Sequence, residues 1–158
     1  MMTIPKFIND TFENASKNAY SAFDAGYYTF TGTYVKKDIK KALEYFTMSE
    51  QMGNIDAINY IYYCNIILNG TNEYISKLED NSLESAIASD ILFSIYSEGI
   101  YEKQDMAKAI KYKEQYINQI NYFKKEELEN FIELCLENNF IEKANAYKQK
   151  LLEMDTSK

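Results

Sequence analysis

The side chains with the greatest chemical reach in this chain are two thiols and a run of carboxylates. The thiols are Cys64 and Cys135; the carboxylates are Glu126, Glu129, Glu133 and Glu137. Thiols serve as disulfide halves or soft metal ligands, and carboxylates three or four residues apart share one helix face and can hold a hard cation. Neither set has the company such chemistry needs. The sequence contains no His and no Arg, and every basic residue is Lys. The commonest general base and metal ligand is therefore missing, as is the guanidinium fork that clamps phosphate or carboxylate. There is no Gly-x-Ser-x-Gly elbow, no phosphate loop and no Asp-x-Asp calcium loop. No catalysis, cofactor or metal is expected. The four glutamates read as a solvated helix face or as an interaction patch. Each Cys lies inside an apolar helical pattern and reads as a reduced core residue.

Charge narrows the partners further. The net charge is −7. Residues 79–137 carry thirteen acids against six lysines, whereas residues 1–78 are close to neutral. Such a surface disfavours nucleic acid and anionic membranes and suits a basic protein partner, or simply keeps the chain soluble. No stretch reaches the roughly 18 apolar residues that span a bilayer. The opening Met1-Met2-Thr3-Ile4-Pro5-Lys6 lacks a basic segment followed by an apolar run. The expectation is a cytoplasmic monomer.

The elements that position these residues read as helices. One Pro and five Gly are too few for a sheet protein's turns. An amphipathic helix is expected over 5–17, with Ile4, Phe7, Ile8, Phe12 and Ala15 on one face and Pro5 in the first turn. A second runs over 19–31 and ends at Gly32. Asp38 is placed to cap a third that stops at Gly53. Asn54 is placed to cap a fourth from Ile55 to Asn69, followed by Gly70. A short helix at 72–79 precedes an Asn81-x-x-Glu84 capping pair and a helix from Ser82 to Glu98. Gly99 ends that one, and Asp105 caps the next, to about Ile120. The last two are expected near 124–137 and 140–154. Their core faces would be Phe131, Ile132, Cys135 and Leu136, then Phe140, Ile141, Ala144, Tyr147, Leu151 and Leu152.

Two of these segments echo each other. Gly32-x-Tyr34, Asp38, Lys41-Ala42 and Tyr45 recur at the same spacing as Gly99-x-Tyr101, Asp105, Lys108-Ala109 and Tyr112. Internal repetition of this kind marks units that bury their apolar faces against their neighbours. The residues resemble the Sel-one-like repeat family, a branch of the tetratricopeptide-type α-solenoids. That family's pattern runs Leu-Gly-x2-Tyr-x2-Gly-x-Gly-Val-x2-Asp-x2-Lys-Ala-x2-Tyr-Tyr. Residues 21–57 match through Gly26, Gly32, Val35, Asp38, Lys41-Ala42, Tyr45-Phe46, Gly53 and Ala57. Thr29 departs from the expected Tyr, and Tyr34 takes the place of the second loop Gly. Residues 88–112 match through Ala88, Leu92, Tyr96, Gly99, Asp105, Lys108-Ala109 and Tyr112, with Phe93 in place of the helix Gly.

The resemblance implies an all-α fold, a short right-handed α-solenoid of antiparallel hairpins with an N-terminal capping helix. The expected layout is one domain, 1–158. It has an N-terminal helix (5–18), repeat one (19–53), a degenerate repeat (54–81), repeat three (82–121) and a C-terminal hairpin (122–154). Gly26 and Ala42 would let paired helices approach, Tyr45 and Tyr112 would fill space between hairpins, and Asp38 and Asp105 would cap. The resemblance also places the exposed concave positions at Phe23, Tyr27, Phe30 and Thr31, then Asn59, Tyr63 and Ile66, then Asp90, Ser94, Ser97 and Glu98. Either these aromatics face a partner, or the N-terminal helix lies against them. Two functions follow: a non-catalytic protein-binding adaptor, or an immunity or inhibitor protein that neutralises a basic toxin or enzyme.

Overall fold

Every regular element among the described residues of the computed structural model, 3–70, 72–121 and 124–156, is a helix. Met1, Met2 and residues 122 and 123, where the C-terminal hairpin is expected to open, lie outside that range. The order is α1 (Lys6–Asn14), α2 (Ala19–Thr31), α3 (Ile39–Gln51), α4 (Ala57–Asn69), α5 (Glu73–Asn81), α6 (Ala86–Glu98), α7 (Met106–Gln119), α8 (Lys124–Glu137) and α9 (Ile141–Thr156). The helices pack as sequential hairpins, in keeping with a tetratricopeptide-like α-solenoid. The chain divides into two compact units, Met1–Lys77 and Leu78–Lys158.

In the first unit, α2 pairs with α3, α1 packs on α2, and α4 packs on α3. Asn18 caps α2, its side chain accepting from the Tyr20 and Ser21 amides at 2.8 and 3.2 Å. Gly32 ends α2 in the left-handed region at φ 74°. The Asp38 carboxylate accepts from the Lys41 amide at 3.0 Å and opens α3, while the Asp38 amide donates to the Thr29 carbonyl. These bonds satisfy backbone groups that a helix end leaves orphaned. At the crossing of α2 and α3, Gly26 faces the fully buried Phe46 ring. A Cβ there would meet Phe46 Cε1 at 2.8 Å, so glycine is required by close approach.

The second unit repeats this frame. Gly99 ends α6 at φ 70°, Asp105 accepts from the Lys108 amide at 3.0 Å, and the Asp105 amide donates to the Tyr96 carbonyl. Here α6 pairs with α7 and α8 with α9. Ile110, Ile117, Leu128, Phe131, Ile132, Cys135, Ala144 and Tyr147 form its core. Buried polar groups are paired. The Ser89 hydroxyl lies within reach of the Gln119 side-chain oxygen at 3.0 Å, and the Gln119 amide donates to the Ser82 carbonyl at 2.8 Å.

Several expectations shift. The fourth helix begins at Ala57, not Ile55, because Asn54 closes a turn with its side chain on the Asp56 amide. The helix expected from Ser82 begins at Ala86. The Asn81 carbonyl takes the Glu84 and Ser85 amides in a turn, and the Ser85 hydroxyl accepts from Ala88. Ile4, Phe7, Leu136, Ile141 and Leu152 were placed on core faces but are exposed. Ile4 precedes α1, Phe7 lies on α1, Leu136 on α8, and Ile141 and Leu152 on α9, each on a part of the apolar stripe that stays in water. Tyr45 packs edge-on against Phe12 of α1 at 5.6 Å, and Tyr112 stacks on Tyr96 of its own hairpin at 5.8 Å.

Candidate functional site

The expected groove positions of the first unit divide into buried and exposed sets. Phe23 and Phe30 are half-buried and close the α2–α3–α4 core. Phe23 meets Phe46 edge-on at 5.5 Å, and Phe30 meets Tyr60 at 5.4 Å and Tyr63 at 5.2 Å. Phe46 and Tyr60 stack face to face at 4.7 Å. Asn59, Tyr63 and Ile66, expected to be exposed, are buried. Phe30 covers Tyr63, and the Asn59 amide turns back to the Asp56 carbonyl. The cause is the composition of α4, which is apolar on most of its faces and so is taken into the core. Tyr27, 43% exposed, and Thr31 keep their side chains outward. The N-terminal helix packs on α2. It meets the rest of the unit through Phe12 on Tyr45 and through Phe7 on Tyr34 at 6.3 Å.

In the second unit Ser94 and Ser97 are half-buried and Glu98 is exposed. The Ser97 carbonyl accepts from the Gln104 side chain at 2.9 Å, tying the end of α6 to the loop. Asp90 is not a free acid. It lies 3.9 Å from the Lys113 ammonium, which also pairs with Glu127 at 3.2 Å. Lys113 sits over the Phe93 and Tyr116 rings at 5.1 and 4.5 Å. Burial pushes the Asp90 carboxyl up, and the Lys113 ammonium pulls it back. The two expected groups of positions, on α2 and α4 and on α6, belong to different units.

The two thiols are buried, and the α8 carboxylates lie in water. Cys64 is buried and its thiol is pushed up to about 12 by loss of water; burial raises Cys135 as well. No group of three or more Cys, Asp or Glu among the described residues is placed to hold a metal ion. Glu126, Glu129, Glu133 and Glu137 all lie exposed on α8.

One polar cluster has no counterpart in the sequence reading. Glu114 of α7 accepts from the Tyr147 hydroxyl at 2.8 Å and pairs with Lys143, both from α9, while the Asn118 amide donates to the same hydroxyl at 3.2 Å. Burial, with the Glu114 acceptor, pushes the Tyr147 hydroxyl up to about 12. Beside it, Asn118, Lys124, Leu128, Tyr147 and Lys150 help line an open cleft of about 410 Å³. The partners are about thirty residues apart, so no local spacing announces them.

The Sel1 repeat family model matches residues 19–54 and 91–115. The first match takes in the α2–α3 hairpin and the second most of α6 and α7. No curated protein matches the chain significantly. Among solved structures, that of a Sel1 repeat protein from Oxalobacter formigenes aligns over 94% of this chain at 20% identity and a TM-score of 0.49. The chain spans 63% of that protein's length, less than two thirds. Sel1 repeats are generally protein-interaction modules, and their scaffold is usually non-catalytic. No helix among the described residues is long and apolar enough to cross a membrane.

Proposed function

Taking the chain as a Sel1 repeat protein, we propose that it is a non-catalytic module that binds a protein partner through exposed side chains of its repeat helices. One observation carries this reading: the residues the repeats share are spent on structure. Ala42 and Ala109 are fully buried, Gly32 and Gly99 end helices, and Asp38 and Asp105 cap. What remains to act is surface, and on α2 that surface includes Tyr27 and Thr31. A half-exposed Tyr gives large contact area at small entropic cost. On α6 the corresponding side chains are Ser94, Ser97 and Glu98.

The test is quantitative cross-linking in the native cell, comparing the parent with Tyr27→Ala. Tyr63→Ala is a poor probe, because it would hollow out the core. A partner cross-linked to α2 whose yield drops with Tyr27→Ala, at unchanged helicity, supports the reading. An unchanged profile rejects the α2 assignment.

A second reading, an immunity or inhibitor protein for a basic toxin or enzyme, is favoured by the exposed glutamates along α8. Complementary charge would speed such an encounter and make it salt-sensitive. Replacing Glu126, Glu129, Glu133 and Glu137 by Gln would then slow association while leaving the α2 surface intact.

A further inference from the structure

The loop after α2 contains a residue in the wrong conformation for its type. Tyr34 has a φ of 64°, in the left-handed region. Side chains larger than glycine rarely occupy that region, and a bulky ring there is an outlier. The repeat pattern carries Gly at this position. Burial does not repay the strain, since Tyr34 remains 52% exposed. Its ring instead extends a row of others. It meets Phe7 edge-on at 6.3 Å and Tyr28 at 6.3 Å, and Tyr28 meets Tyr27 at 6.4 Å. Phe7 is itself 56% exposed. The row therefore runs along α1, the loop and α2 as an aromatic surface largely in water, within one compact unit.

Asp24 stands one helical turn before Tyr28. The i, i+4 spacing sets both side chains on one face of α2; loss of water and then the Asp24 charge raise the Tyr28 hydroxyl, and loss of water raises the Asp24 carboxyl although the residue is exposed. Asp24 has no ion pair among the described residues. A carboxylate one helical turn from a tyrosine ring offers a cation two attractions at once, its charge and the ring quadrupole. Guanidinium fits best, because its plane stacks on rings while its fork meets the carboxylate.

We propose that the row Phe7–Tyr34–Tyr28–Tyr27, with Asp24 at its edge, docks an arginine-bearing segment of a protein partner. This rests on the protein-binding reading: the row shares Tyr27 with the expected groove and adds Asp24, Tyr28, Tyr34 and Phe7 to it. The left-handed Tyr34 joins the Phe7 and Tyr28 rings into one row.

The probe is a short peptide of alternating Arg and Ser, titrated into the full chain, with a Glu-Ser peptide of equal length as control. Amide shifts are read residue by residue. The expected result is shifts centred on residues 24–34 with the Arg peptide alone, and about fivefold weaker binding in Asp24→Asn. Tyr34→Gly should bind more weakly yet melt at the parent temperature or above. Shifts centred on Glu126–Glu137 would overturn this inference while leaving the protein-binding reading in place. Silence with both peptides would likewise overturn this inference and leave the protein-binding reading to the cross-linking test. Binding unchanged in Asp24→Asn, or a Tyr34→Gly chain that melts lower with full binding, would also overturn it.

Discussion

Gly26→Ala sets two well-understood effects against each other. In an exposed helix interior the change would stabilise by about 1 kcal/mol, since alanine restricts the unfolded chain more and favours the helix. At Gly26 the new methyl would stand 2.8 to 3.0 Å from three atoms of the Phe46 ring. Comfortable carbon contacts lie near 3.5 to 4.0 Å, so the ring must retreat by about 0.5 to 1 Å. It has nowhere to go. Tyr60 is stacked behind it at 4.7 Å with planes 8° apart, and Phe23 and Phe30 close its edges at 5.5 and 6.4 Å. Overpacking of this kind costs about 1 to 3 kcal/mol. The expected balance is a net loss of about 1 kcal/mol, a drop of about 2 to 4 °C in Tm for a chain of this size. Thermal and urea melts followed by circular dichroism measure it. The double variant Gly26→Ala, Phe46→Leu should show a coupling of about 1 kcal/mol or more, because the smaller side chain yields to the methyl. A Gly26→Ala chain that melts above its parent would refute the close-approach argument.

The two caps make a paired prediction: Asp38→Ala and Asp105→Ala should each cost about 1 kcal/mol, with Asn at either site retaining most of it, as read from urea midpoints. Equal midpoints for parent and variant would remove the cap from that helix start. Tyr147 predicts an alkaline effect. Its hydroxyl is pushed up from 10.0 to about 12, so between those values the unfolded chain has lost a proton that the folded chain keeps. The stability this group provides is complete below pH 10 and is lost as pH rises to about 12. Tyr147→Phe has no such proton, and its stability should fall less steeply over that window. Identical slopes in alkaline urea titrations would reject the assignment.

The local signals survived folding and the non-local ones did not. Gly32, Gly99, Asp38 and Asp105 end or open helices where the sequence places them, because each acts through backbone groups within four residues of itself. The Ser82 start failed for a related reason. Asn81 and Ser85 both offer polar side chains, and only the geometry of the turn decides that Ser85 caps. Burial was harder to read. Tyr63 and Ile66 look like surface by analogy with other repeat helices but are enclosed, because α4 is apolar on most of its faces. Ile141 and Leu152 look like core by periodicity but remain exposed on the last helix. The glycine replaced by Tyr34 was visible in the pattern. The row of rings it joins was not, since Phe7 lies on another helix.

The two hairpins solve the same crossing in opposite ways, and this changes what the charge distribution means. In the first, Gly26 on the leading helix receives Phe46 from the following one. In the second, the equivalent positions hold Phe93 and Lys113, so the ring comes from the leading helix and an ammonium lies over it at 5.1 Å. A half-buried cation must be matched, and Asp90 and Glu127 match it. Glu114 is likewise engaged by Lys143 and Tyr147, Glu79 by the Tyr96 hydroxyl, and Asp105 by its own helix. Five of the thirteen acids in residues 79–137 therefore have partners within the chain. A basic partner would not meet the charge that the sequence count advertises. An inhibitor reading has to be carried by exposed carboxylates such as Glu98 and the four glutamates of α8. If replacing those four by Gln leaves association with a basic partner and its salt dependence unchanged, the acidic surface serves solubility and recognition belongs to the aromatic side chains of the first unit.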